Sequence, residues 1–191
     1  MIITVTGMPG SGKSTLAKNI AKELGLEHYS AGDLLRHIAK ERGMGLLQLH
    51  HAMEEDKSVD EELDRRTEKF GKEMDNFVID GRVAWHFIPN SIKVFVKIDL
   101  KAAATRVFAD TVAGKEERSE ESENISLEET MKNMEERMEL NRTRYKRLYG
   151  IDYLDDNNYD IVVDTTESGI EETKEKVLNQ IKQYLNEKKS D

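Results

Sequence analysis

The 191-residue chain contains no cysteine, which excludes disulfides and every zinc or iron–sulfur site built on thiolates. It has only 2 prolines and its apolar residues reach 37%, so it lacks the composition of a disordered segment. A domain of this length can bury roughly 70% of the surface its unfolded chain exposes. No apolar run approaches the ~18 residues of a membrane span, and no signal-peptide pattern opens the chain. A cytoplasmic protein without a membrane partner is therefore expected. Positive charge is also scarce: 29 Lys and Arg face 38 Asp and Glu, a net charge of −9. That balance disfavours nonspecific binding to nucleic acid or anionic lipid, while leaving room for a local cationic pocket. The 5 histidines show no metal-ligand spacing, His50 and His51 being adjacent and so on different helix faces, and all read as surface residues.

What is present is strongly patterned. Residues 2–6 (IITVT) are uncharged and mostly β-branched, the signature of a strand buried on both faces of a parallel sheet. They run into a glycine-rich turn, after which Leu16, Ile20 and Leu24 recur at helical spacing and Gly25 supplies a stop. Similar buried runs occupy 77–79, 94–96 and 161–163, with a weaker one at 27–30. Five candidate strands separated by helical stretches predict an α/β sandwich with a mostly parallel sheet. Between the second and third strands the patterning is helical throughout, so an all-helical insertion is expected there, large enough to close over a ligand. The polar stretch 114–124 (GKEERSEESEN) admits two readings, a surface loop or a mobile lid. The positions Leu127, Met131, Met134, Met138, Asn141, Tyr145 and Leu148 share one helix face and read as core packing.

The first turn carries the chemistry. Gly7, Met8, Pro9, Gly10, Ser11, Gly12, Lys13 and Ser14, followed by Thr15, match a P-loop lying between a buried strand and a helix. Glycines allow successive N–H groups to turn inward as an anion nest. The following helix aims its positive end at the same place. Lys13 adds a mobile charge for the outer phosphates, and the Ser14 hydroxyl is placed to ligate Mg²⁺. These features point to a nucleoside triphosphate. Phe77-Val78-Ile79-Asp80 is an apolar strand ending in a carboxylate, which sets an acid near Mg²⁺ through water. Asp80-Gly81-Arg82 then puts a guanidinium at the carboxyl edge of the sheet, where ligands of open α/β sheets bind. No Asn-Lys-x-Asp tetrapeptide occurs, which argues against guanine-specific switch proteins.

Together with the P-loop and Asp80-Gly81-Arg82, the segment Ser30-Ala31-Gly32-Asp33-Leu34-Leu35-Arg36 resembles the nucleoside monophosphate kinases. The arginine-rich stretch 137–144 and Tyr145-Lys146-Arg147-Leu148-Tyr149-Gly150-Ile151-Asp152 bring the likeness nearest to the archaeal type of cytidylate kinase, from Met1 to about Thr166. The resemblance implies a single three-layer P-loop kinase domain with a five-stranded parallel sheet. Its core would take 1–30, 76–112 and 150–191, a helical acceptor-binding insertion about 31–75, and a short lid with its helix about 113–149. It further implies a monomer whose partners are nucleotides, with ATP as donor, Mg²⁺ as cofactor and CMP or dCMP as acceptor.

By position, Arg36 and Arg82 resemble the arginines that hold the acceptor phosphate, with Ser30, Gly32, Asp33 and Gly81 beside them. Two-pronged guanidinium contacts suit a tetrahedral phosphate. Arg137 and Arg144 resemble lid-helix arginines that swing onto the transferring phosphoryl group, and at this spacing they share a helix face. Arg106 resembles an arginine that stacks on the donor base. Asn141 stands where the related pattern carries an acid for the acceptor sugar, and it accepts only through its carbonyl oxygen. Met138 replaces the other acid of that pattern, and Val83 follows Gly-Arg as an apolar residue does in the archaeal type. Base selection falls to the insertion, with Asp60, Asp64, Arg65 and Arg66 as candidates, and Trp85 is expected near the site mouth. Adenylate kinase, favoured by Ser30-Ala31-Gly32-Asp33, and an ATPase switch without an acceptor remain the alternatives.

Overall fold

Uncharged β-branched runs cannot stay in water, and in the computed structural model, which describes residues 1–44, 48–49, 52–53, 56–113 and 126–188, they form the centre of the sheet. The strands are β1 (Ile2–Gly7), β2 (Glu27–Ser30), β3 (Phe77–Asp80), β4 (Ile92–Lys97) and β5 (Ile161–Asp164). They pair in the order β2-β3-β1-β4-β5, every pair parallel. β1 is buried along its whole length because it has a neighbour on each side and helices on both faces. The outer strand β2 is only half-buried, which explains why its sequence is the least strand-like of the five.

Helices fill the two faces. On one side α1 (Lys13–Leu24) and α7 (Ile170–Glu187) pack Leu16, Ile20, Val177 and Ile181 onto Ile3, Val5 and Val94. On the other, α4 (Ala84–Phe87) packs on Ile2, Phe77 and Ile79, while α5 (Leu100–Val112) and α6 (Leu127–Tyr149) pack against each other. The Asp99 carboxylate accepts the Lys101 and Ala102 N–H groups and so starts α5, while Ser126 caps α6. Met134 and its neighbours Leu127 and Met131 pack on Ala103, Ala104 and Val107, so the stripe along α6 is core at this end.

Between β2 and β3 lie α2 (Ala31–Glu41) and α3 (Ser58–Glu73). They share a small core of their own, Leu35, Ile38, Ala39, Leu49, Met53 and Val59. Tyr29, Phe70 and Phe77 meet edge to face and moor α3 to the sheet. The stretch 114–124 and the pair His50 and His51 lie outside the described residues.

Register fixes the working edge. Val5 and Ser30 both stand opposite Asp80, so the ends of β1, β2 and β3 finish side by side. The chain passes to one side of β1 for β2 and β3 and to the other for β4 and β5, and that reversal opens a crevice at their carboxyl ends.

Candidate active site

The turn after β1 is closed by hydrogen bonds from Met8 N–H to Val96 O and from Ser11 N–H to Met8 O, each 3.2 Å. Gly10 and Gly12 hold φ of 75° and 79°, the left-handed region that favours glycine. At Gly10 a Cβ would also stand 2.8 Å from Ala103 O, so the loop lies directly on α5. No side chain caps α1 and no acid occupies its first turn, unlike α6 and α7, which carry two glutamates each there. Its N-terminal end and dipole therefore face the crevice without a side-chain cap or an acid of their own, an arrangement suited to an anion.

Beside this nest is a polar cluster. Ser14 Oγ donates to Asp80 Oδ2 at 2.7 Å, and His28 Nε2 lies 2.9 Å from Asp80 Oδ1. Burial would raise the Asp80 pKa, but the hydrogen bonds from His28 and Ser14 and the charge of Lys13 outweigh it and hold the carboxyl below its usual range. A hydroxyl and a carboxylate are hard oxygen donors of the kind Mg²⁺ takes. Among the described residues no group of three or more acids or histidines could hold a metal alone. A cation here would draw most of its ligands from phosphate oxygens and water, as Mg²⁺ does at phosphate sites.

A cleft of about 1350 Å³ runs from Lys13 and Ser14 to α3 and α6. That exceeds the roughly 300–1,000 Å³ of a single small-molecule site. Arg36, Arg82, Arg137 and Arg144 all line it, as do Ser30, Gly32, Asp33, Gly81 and Asn141. Arg36 pairs with Asp33 across one helical turn, both exposed. The backbone carrying Arg82 is held by Gly81 N–H donating to Val5 O at 3.1 Å and by Thr6 Oγ1 donating to Gly81 O at 2.9 Å. Asn141 spends its amide N–H on Arg137 O at 2.7 Å, within α6.

Two bonds cross the far end of the cleft. Arg144 pairs with Asp60, and Tyr149 O–H donates to Asp64 Oδ2 at 2.5 Å. Burial pushes the Asp64 pKa up to about 6; the Asp60 and Glu61 charges add to this, and Tyr149 and Arg144 oppose it. Burial, then the Asp64 carboxylate, drives the Tyr149 hydroxyl upward as well.

Of the expected site residues, the turn 7–12 adjoins the cleft at Lys13 without lining it, and Thr15, Arg65, Arg66 and Arg106 stand apart from it. Thr15 is exposed one residue beyond Ser14. Arg65 is exposed on α3, off the face that presents Asp60, Leu63, Asp64 and Thr67. Arg106 lies behind the P-loop turn, where its guanidinium donates to Thr165 O at 2.7 Å, and Thr165 Oγ1 in turn donates to Ser11 O at 3.3 Å. Arg66 binds Glu41 and Glu62, tying α2 to α3. Trp85 is not at the mouth: it is buried against Tyr159 at 5.4 Å, and Phe87 lines the cleft in its place. The surface reading fails for His28, which lines the cleft on Asp80. The period of two in β2 puts His28 and Ser30 on the same side of the strand, but that this side meets Asp80 depends on the β2–β3 register.

Comparison with known proteins agrees with this geometry. The chain is 39% identical over 172 residues to the cytidylate kinase of Methanocaldococcus jannaschii, covering 90% of this chain and 92% of that one. It is 38% identical over 167 residues to the cytidylate kinase of Pyrococcus abyssi, covering 87% and 85%. In fold it is similar to an uncharacterized protein from Eubacterium ventriosum (TM-score 0.70, 20% identity, 95% of this chain and 98% of that one). It is likewise similar to shikimate kinase from Bacteroides thetaiotaomicron (TM-score 0.64, 13% identity, 95% and 98%). With its P-loop, its arginine-lined cleft and a family model that matches residues 2–167, the chain belongs to the cytidylate kinase-like family.

Proposed function

We propose that the protein is a cytidylate kinase, moving the γ-phosphoryl of ATP onto CMP or dCMP to give ADP and CDP or dCDP. The observation that carries this reading is the single cleft joining Lys13 and Ser14 to four arginines, beyond what one nucleotide needs. In this reading the turn 7–12, Lys13, Ser14 and Thr15 hold the triphosphate, with Arg106 behind the turn for the donor base. The α2–α3 region, about 31–75, is the acceptor side, and about 113–149 is the lid with its helix.

The attacking atom is an oxygen of the acceptor phosphate, already ionised at neutral pH, so no general base is needed. The protein's task is to bring two anions together and to stabilise charge on the equatorial oxygens. Arg36 and Arg82 orient the acceptor phosphate, Arg137 meets the transferring group, joined by Arg144 once it leaves its pair with Asp60, and Lys13 neutralises the donor. Ser14 and Asp80, the latter through water, would hold Mg²⁺, which when bound would supply positive charge against the negative charge of the transferring group. Closure of the insertion and lid excludes water that would otherwise hydrolyse ATP.

Asp60 and Asp64 carry the argument for the base. Ionised carboxylates only accept hydrogen bonds, so they suit the exocyclic amine of cytosine and oppose the carbonyl that uracil offers at the same place. Ser30 and Asn141 face the acceptor's sugar and phosphate side. The test is an acceptor panel of CMP, dCMP, UMP, AMP and GMP, read as diphosphate formed per ATP used. CMP or dCMP should lead in kcat/KM by tenfold or more; AMP leading would make the protein an adenylate kinase.

A further inference from the structure

The Asp80 carboxylate ends β3 at the floor of the cleft, buried, with a different donor on each oxygen. Ser14 Oγ reaches Oδ2 at 2.7 Å and His28 Nε2 reaches Oδ1 at 2.9 Å. The final torsion of an aspartate is broad and roughly two-fold, so one hydrogen bond does not fix the plane of the carboxylate. Two donors on opposite oxygens do. An ionised carboxylate offers only acceptors, so His28 Nε2 carries the hydrogen of this contact. The ring itself is well held: its side chain is 17% exposed, and β2 pairs with β3 so that His28 stands opposite Val78 and Ser30 opposite Asp80. Ser14 belongs to α1, directly after the phosphate turn, whereas His28 belongs to the same sheet as Asp80.

We infer that His28 is a positioning residue for Asp80: its Nε2–H holds Oδ1, so that Oδ2 stays directed at the Ser14 hydroxyl and the adjoining cation position. This rests on the reading of Ser14 and Asp80 as the metal side of the ATP site. Partners one shell out from a metal ligand typically change metal affinity by 10–100-fold when removed. His28 is therefore a determinant of how strongly Mg²⁺ and nucleotide bind together. Nucleotide bound without metal has no use for the Asp80 orientation.

The experiment is calorimetric titration of ADP into the full chain across a Mg²⁺ series, without turnover, for the parent, His28→Leu, His28→Asn, His28→Gln and Asp80→Asn. Glutamine places an amide N–H where Nε2 stands; leucine has no donor and asparagine is too short. The Mg²⁺ concentration at half-maximal enhancement of ADP binding should rise about tenfold or more in His28→Leu and His28→Asn. His28→Gln should stay within about threefold of the parent, and metal-free ADP affinity within about twofold for all three His28 variants. Should leucine unfold the chain, asparagine and glutamine still make the comparison. The inference is overturned if Asp80→Asn moves the midpoint while His28→Leu and His28→Asn do not. It is equally overturned if metal-free binding falls as much as metal-linked binding, which would mark His28 as a packing residue. If Asp80→Asn leaves the midpoint unmoved, the metal-site reading falls and this inference with it.

Discussion

Asp64 offers the sharpest test of whether the cleft is held ready at a cost to the fold. Its pKa is raised from 3.8 to about 6, chiefly by burial. A carboxyl raised in the folded state contributes its stability at pH below the unfolded value, and that stability is lost as pH rises through the folded value. The window here is therefore about pH 4 to pH 7, and above it the protein bears the full penalty of a partly buried charge. At 1.36 kcal/mol per pK unit the penalty is about 3 kcal/mol. Asp64 is only half-buried, and solvent screening brings the figure to roughly 1–2 kcal/mol. Asp64→Asn removes the charge and keeps an oxygen for the Tyr149 hydroxyl. The difference in Tm between variant and parent should thus move in the variant's favour between pH 4 and pH 8, by roughly 3–6 °C for a chain of this size. The assay is thermal unfolding of both proteins across that range, with CMP turnover measured alongside. A Tm difference that stays constant with pH would mean that Asp64 ionises as freely in the folded chain as in the unfolded one and that burial does not hold its pKa up. Higher stability with poorer CMP turnover would be the familiar exchange between stability and a strained site.

Other perturbations follow from the same geometry. Lys13→Ala should abolish phosphoryl transfer while leaving the circular dichroism spectrum unchanged, and activity within tenfold of the parent would remove Lys13 from the phosphate nest. Arg36→Ala should raise the acceptor KM strongly and the ATP KM little, in initial-rate kinetics varied in both substrates; an effect on ATP alone would invert the assignment of the two halves of the cleft. Gly10→Ala places a methyl 2.8 Å from Ala103 O at a φ of 75°, and denaturant unfolding should show a loss of roughly 1–3 kcal/mol. An unchanged midpoint would mean that the turn and α5 separate easily.

Most of the sheet is legible from the residues because parallel strands buried on both faces exclude charge and favour β-branched and apolar residues, and 2–6, 77–79, 94–96 and 161–163 fit that. β2 reads weakly for a physical reason: none of EHYS is fully buried, whereas the other outer strand, β5, buries Ile161 and Val163. The phosphate turn is legible because its demands are local, a left-handed backbone at Gly10 and Gly12 and a lysine one residue on. His28 is a different case. Its meaning depends on the register that sets Ser30 opposite Asp80, and no local pattern contains that register. The pairings of Asp60 with Arg144 and Asp64 with Tyr149 join residues on α3 to residues on α6 far along the chain. Sequence spacing could put Asp60 and Asp64 on one helix face, but not say what that face meets. Trp85 and Phe87 differ in the same way, since on the short helix α4 only packing decides which ring turns to the core and which to the cleft.

The central claim is that two nucleotides meet in one cleft and that ATP is consumed only to phosphorylate the second. The most direct measurement follows ATP loss in Mg²⁺ buffer with and without CMP, while quantifying CDP. ATP loss should be negligible alone and, on adding CMP, ADP and CDP should form in equal amounts. ATP turnover at the same rate without CMP, and no CDP when it is present, would contradict that claim.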